Sequence, residues 1–194
     1  MRLLGISGSL RERSHNRHLL EAAEGELPAG VELELFEGLE DVPAFDQDLE
    51  GSPPAGARAF MDAIDGADAL LFATPEYNSS VPGALKNALD WASRPFPDNV
   101  LRDKPAAVVG ASTGMFGAVW AQAELRKVLS ASGAKVLDEE LPVGHAQEAF
   151  DEEGRLAAPE ASQRLREIIA SLVSQAEQLR LAEDEQRFQR AART

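Results

Sequence analysis

A chain of 194 residues with 44% apolar side chains and no cysteine can bury a full core, and it excludes disulfide frameworks, thiolate metal sites and thiol catalysis. Its 33 acidic against 19 basic residues give a formal charge of -14, which repels phosphate backbones and anionic membrane surfaces and argues against nucleic acid and membrane as partners. The first residues, Met1 to Ser7, carry one Arg and pass straight into a strand-like run, so cytoplasmic residence is the expectation.

The elements alternate. Strands are expected at Leu3 to Ser7, Val31 to Phe36, Ala69 to Thr74, Ala106 to Ala111 and Lys135 to Leu141, and helices at Asn16 to Glu24, Ala55 to Ile64, Pro82 to Ala92, Gly117 to Ala131 and Pro159 to about Leu181. This order predicts an α/β fold with an open, mostly parallel five-stranded sheet between two helical layers. The unbroken apolar runs at 69–73 and 106–110 fit strands covered on both faces. Gly38 to Pro54 reads as an acidic surface connection. Residues 1–181 form one domain, and 182–194 read as a charged tail that extends the last helix, frays or rests on a neighbouring subunit.

Charge is unevenly placed. Eleven acidic and no basic residues lie between Glu21 and Glu50, whereas the loop from Gly8 to Arg17 holds Arg11, Arg13 and Arg17 against Glu12 alone. In open sheets ligands bind beyond the carboxyl ends of the strands, so the loops after the first, third and fourth strands matter most, and this is the first of them. Ser9, Arg11, Ser14 and Asn16 at the start of a helix suit a phosphate dianion; the plainer alternative is a polar loop with Ser14 as an N-cap. The loop has neither the glycine spacing of a dinucleotide site nor the Lys-Ser/Thr ending of a triphosphate site, so a terminal phosphomonoester is the better match. The second loop, with Pro75, Glu76, Tyr77 and Asn78, offers an aromatic ring and backbone groups to a flat heterocycle, or forms an ordinary turn. The third, containing Ser112 and Gly114, allows close backbone approach, or is a glycine-rich strand-to-helix turn.

Three segments resemble the NADPH-dependent FMN reductase family, which includes quinone, azo-dye and chromate reductases. They are Gly8-Ser9-Leu10-Arg11 with Ser14 and Asn16; Pro75-Glu76-Tyr77-Asn78 through Ser80, Pro82-Gly83, Leu85-Lys86-Asn87-Ala88 and Asp90-Trp91; and Gly110-Ala111-Ser112 with Gly114, Gly117, Gln122 and Leu125-Arg126. Where many relatives have an aromatic residue between Ser14 and Asn16, this chain has His15. The resemblance implies a flavodoxin-like three-layer sandwich, with Ser9, Arg11, Ser14 and Asn16 on the FMN phosphate, Pro75 to Asn78 along the isoalloxazine ring, and Ser112 and Gly114 on its other side.

It also implies NADPH or NADH as electron donor, a small-molecule electron acceptor, and a homodimer or homotetramer. The apolar Pro82 to Ala92 helix is expected to be mostly core, with Trp91 and part of the Gly117 to Ala131 helix at subunit contacts. The flavin carries such chemistry, so no catalytic acid, base or nucleophile and no metal ligand is nominated. Acidic surfaces also suit docking to redox partners, so a flavin-binding electron carrier or redox-responsive interaction protein is the alternative, followed by an α/β protein for another mononucleotide.

Overall fold

The computed structural model describes residues 1–191; of residues 183, 186, 187, 190 and 191 it describes the backbone alone. The parallel sheet comprises β1 (Arg2–Ser7), β2 (Glu32–Leu35), β3 (Ala69–Ala73), β4 (Pro105–Ala111), β5 (Lys135–Val136) and β6 (Pro142–Val143), in the order β2-β1-β3-β4-β5, with β6 also on β4. The helices are α1 (His15–Glu24), α2 (Ala55–Asp65), α3 (Gly83–Ala92), α4 (Val119–Ala131) and α5 (Pro159–Ala191).

Because successive strand side chains face opposite ways, each strand feeds two cores. Leu4, Ile6, Leu70, Phe72 and Val108 pack with Phe60, Leu85 and Leu125, on the face covered by α2, α3 and α4. Leu3, Leu71, Ala73 and Val109 pack with Leu19, Leu20, Leu165 and Ile169, on the face of α1 and α5. All residues of β3 and β4 are buried, as their unbroken apolar runs require. Strand order reverses between β1 and β3, so their carboxyl ends open a crevice.

Three differences from the sequence reading have physical causes. Of the expected fifth strand, Lys135 to Leu141, Lys135–Val136 is strand and the second short piece, Pro142–Val143, lies just beyond it; the side chain of Gln122 bonds the backbone at Leu141, ahead of that second piece. Its Oε1 accepts from the Leu141 N–H at 3.3 Å and its Nε2 donates to the Gly117 carbonyl at 2.9 Å, while Gly110 N–H donates to the Leu141 carbonyl. The last helix runs on to Ala191, well past Ala176, the last of its described side chains to be buried, and residues 192–194 of the expected tail lie outside the described residues. Trp91, expected at a subunit contact, is 1% exposed and its indole Nε1 donates to the Pro43 carbonyl at 2.9 Å, so it is core. That contact also fastens the Gly38 to Pro54 connection, which contains two short 3-10 turns, Leu39–Asp41 and Gln47–Leu49.

Candidate active site

The three loops leaving β1, β3 and β4 meet. A cleft of about 100 Å³ is lined by Ser9, Arg11, Ser14, His15 and Asn16 from the first, Pro75, Glu76 and Tyr77 from the second, and Ala111, Ser112 and Thr113 from the third. Eight of the ten expected site residues therefore converge. Asn78 and Gly114 do not line the cleft.

In the first loop, Ser14 is the N-cap of α1: its Oγ accepts from the N–H groups of Asn16 at 3.2 Å and Arg17 at 3.3 Å. Among the described residues no acceptor takes its hydroxyl proton. Asn16 is buried and has a different part. Its Nδ2 donates to the Ala111 carbonyl at 2.9 Å and its Oδ1 accepts from the Ala111 N–H at 2.8 Å, so it is a strut between α1 and the end of β4.

The arginines divide. Arg17 forms a bidentate pair with Glu37, at 2.9 and 2.6 Å, and a bond to Glu21; the Arg17 guanidinium holds the Glu37 carboxyl below the usual range. Arg11 is exposed and makes no side-chain hydrogen bond or ion pair among the described residues. Its backbone N–H donates to Ser9 Oγ at 3.3 Å.

In the second loop, Tyr77 and Ser80 exchange backbone hydrogen bonds of 3.1 and 3.2 Å around Asn78 and Ser79, both at positive φ (53° and 60°). This is a tight hairpin turn, for which asparagine is well suited, and Asn78 sits at its tip outside the cleft's lining set. The Glu76 carboxylate caps α4: Oε2 accepts from the N–H groups of Trp120 at 3.0 Å and Ala121 at 3.1 Å. Reciprocally, Glu124 Oε2 accepts from Ser80 Oγ at 2.7 Å and the Val81 N–H at 3.2 Å, and these bonds lower its pKa. Two carboxylates thus lash the loop to α4. No sequence signal joins Glu76 to a helix start 44 residues away.

The third loop is held by its neighbours. Ser112 N–H donates to the Val143 carbonyl at 3.0 Å, and its own carbonyl accepts from the Ala146 N–H at 3.0 Å. Its tight passage requires glycine at 144, where a Cβ would stand 2.3 Å from the Met115 carbonyl oxygen. Tyr77 on the cleft and Met115, Phe116 and Trp120 beyond it are exposed, with the rings of Phe116 and Trp120 edge-to-face at 5.1 Å.

His15 was not among the expected site residues, although its place beside Ser14 was the available signal. Its pKa is lowered by burial, by Arg11 and by His18.

A volume of 100 Å³ holds one small anionic group, below the roughly 300–1000 Å³ of a pocket that encloses a whole ligand. The larger hollow of about 650 Å³ between α1 and residues 150–155 is lined by Glu21, Glu24, Asp151, Glu152 and Glu153, the wrong charge for phosphate. An unpaired guanidinium, two serine hydroxyls and a helix N-terminus suit a phosphomonoester. The donor set therefore fits the phosphate of FMN. Among the described residues, no group of three His, Asp or Glu side chains is placed to hold a metal ion.

Fold and cleft together define a flavodoxin-like mononucleotide-binding protein. The model of the NADPH-dependent FMN reductase family matches residues 1–148, and the chain belongs to that family. It is 45% identical over 175 residues to an NAD(P)H-dependent FMN reductase of Pseudomonas aeruginosa, covering 89% of this chain and 93% of the relative. It is also 39% identical over 180 residues to an NAD(P)H:quinone oxidoreductase of Solanum tuberosum, covering 89% and 91%. Among solved structures, the flavoenzyme NAD(P)H:(acceptor) oxidoreductase of Paracoccus denitrificans superimposes with a TM-score of 0.80 at 33% identity, covering 91% of this chain and 97% of that one. The chain is accordingly an FMN-dependent NAD(P)H oxidoreductase.

Proposed function

We propose that the enzyme reduces quinone-like acceptors, with the FMN phosphate on Ser9, Arg11 and Ser14, the isoalloxazine ring along Pro75, Glu76 and Tyr77, and Ser112 closing its other side. In this reading Asn16, Asn78 and Gly114 shape the three loops. The observation that carries it is Arg11, a guanidinium without a partner among the described residues, lining the one cleft where the three loops meet. When bound, FMN accepts hydride from the nicotinamide and passes electrons on. The chain's own residues bind its phosphate and orient its ring.

Charge and surface favour a neutral, planar acceptor. A formal charge of -14 repels oxyanions, while exposed Tyr77, Met115 and Phe116 offer an apolar border. The relatives named as quinone reductases, among them a 2-hydroxy-1,4-benzoquinone reductase of Burkholderia, support the same class. We further propose a cytoplasmic homodimer whose second copy covers the Phe116–Trp120 pair, since paired exposed aromatics commonly mark an interaction face.

The test is an anaerobic titration of the purified protein. The FMN absorbance should bleach with NADPH or NADH and return on adding a benzoquinone. A flavin that NAD(P)H leaves oxidised would favour an electron carrier, and a reduced flavin that benzoquinone leaves bleached would sink the acceptor assignment. For the dimer, Phe116→Ser with Trp120→Ser should halve the solution mass; an unchanged mass overturns that face.

A further inference from the structure

We infer that His15 is a second, protonatable cation of the phosphate pocket, so that FMN is taken up together with a proton. This rests on the phosphate assignment proposed above. His15 is the first residue of α1, directly after the capping Ser14, and lines the same cleft as Ser9, Arg11 and Ser14. The helix N-terminus adds partial positive charge there.

Among the described residues, the charges that act on the imidazole are those of Arg11 and His18, and no carboxylate is among them. Arg11 comes from the preceding loop, and His18, one turn along α1, lies 6.2 Å away between ring centroids. His18 in turn meets the ring of Phe150, at 5.8 Å, from the segment after β6. Across the cleft, the Glu76 carboxylate is taken by the N–H groups of Trp120 and Ala121, and the remaining titratable group is the Tyr77 phenol. Ser112 and Thr113 carry no charge. Without the ligand, burial, Arg11 and His18 all oppose protonation of the imidazole and hold its pKa below the ordinary value.

A phosphate dianion reverses that balance. It offsets the field of Arg11 and places negative charge beside the ring, and both effects favour imidazolium. A ligand that raises a group's pKa binds with proton uptake, and its affinity falls as pH rises through the raised value. The second ionisation of the phosphate, near about pH 6, acts in the opposite sense and is complete above about pH 7. The alkaline limb thus belongs to the protein.

The dissociation constants of FMN and riboflavin for apoprotein, followed by flavin fluorescence between about pH 7 and about pH 8.5, test the inference. FMN affinity should fall at least about threefold across this range, riboflavin affinity should stay level, and His15→Gln should flatten the FMN profile. Calorimetry in two buffers of different ionisation enthalpy should show proton uptake on FMN binding by the native protein and none by His15→Gln. Equal slopes in the two proteins, or a level native profile, would overturn the role of His15. Arg11→Ala separates the two readings: if it leaves FMN affinity intact, the phosphate assignment itself fails. If it weakens FMN while the slope survives in His15→Gln, only the proton inference fails. Riboflavin affinity serves as the check on folding in each variant.

Discussion

The side-chain amide of Asn16 and the backbone of Ala111 exchange two hydrogen bonds, one donated and one accepted, across 95 residues of sequence. Asn16 is 2% exposed, so neither bond can be replaced freely by water. Asn16→Ala would leave a buried N–H and a buried carbonyl unsatisfied, at a cost of about 2–4 kcal/mol. Asn16→Asp keeps the acceptor but sets a carboxylate oxygen against the Ala111 carbonyl. Urea unfolding should show both variants well below the native protein. A loss of FMN affinity without any loss of stability would instead make Asn16 a direct ligand.

Glu76 makes a comparable link with a helix start. Removing a side-chain cap costs about 0.5–2 kcal/mol, and here it also frees the loop that carries Tyr77. Glu76→Gln retains an acceptor for Trp120 and Ala121 and loses only the charge on the helix dipole, about 0.3–1 kcal/mol. The expected order of thermal stability and of riboflavin affinity is native, then Gln, then Ala. Riboflavin is the informative ligand because it lacks the phosphate. An Ala variant with native riboflavin affinity would show that loop and ring are independent.

These two links show where sequence reading reaches its limit. The runs at Ala69–Ala73 and Pro105–Ala111 are legible because every position is buried, and the arginine-bearing loop stands out against an acidic chain. Glu76 also belongs to a recognisable motif. Its work is done on the backbone of Trp120, however, and nothing local encodes that pairing. The same holds for Gln122, whose amide bonds the backbone at Leu141 from the neighbouring helix, and for Trp91, whose indole found a carbonyl 48 residues away. Periodicity reports which face is apolar; it does not report where a polar side chain ends its reach.

Arg11 supplies the sharpest comparison between two ligands. Charge-assisted hydrogen bonds contribute about 1.5–3 kcal/mol, so Arg11→Ala should weaken FMN roughly tenfold to a hundredfold. Riboflavin affinity should hardly change. Arg17→Ala serves as the contrast, because its guanidinium is committed to Glu37 and Glu21 at the surface; its FMN affinity should stay close to native. Equal losses for FMN and riboflavin in Arg11→Ala would place the phosphate elsewhere.

Glu26 binds the long last helix to the domain and makes that attachment pH-dependent. Its Oε1 accepts from Ser162 Oγ at 2.5 Å and its Oε2 from Arg166 Nε at 2.7 Å. Burial disfavours the charged carboxyl, but the Ser162 and Arg166 bonds outweigh it, and the pKa lies below its ordinary value of 4.5. The unfolded chain then binds more protons than the folded one as the carboxyl titrates, so stability rises with pH there. The contribution is complete above the unfolded value of 4.5 and is lost as pH falls through the lower folded value. Glu26→Ala should therefore lie about 1–2 kcal/mol below the native protein at neutral pH. That gap should begin to narrow as pH falls below 4.5 and close as pH passes the lower folded value. Thermal unfolding of both proteins across this range is the measurement. A gap of constant size would mean that α5 is held by its apolar face, Leu165, Ile168, Ile169 and Leu172, with no help from the carboxylate.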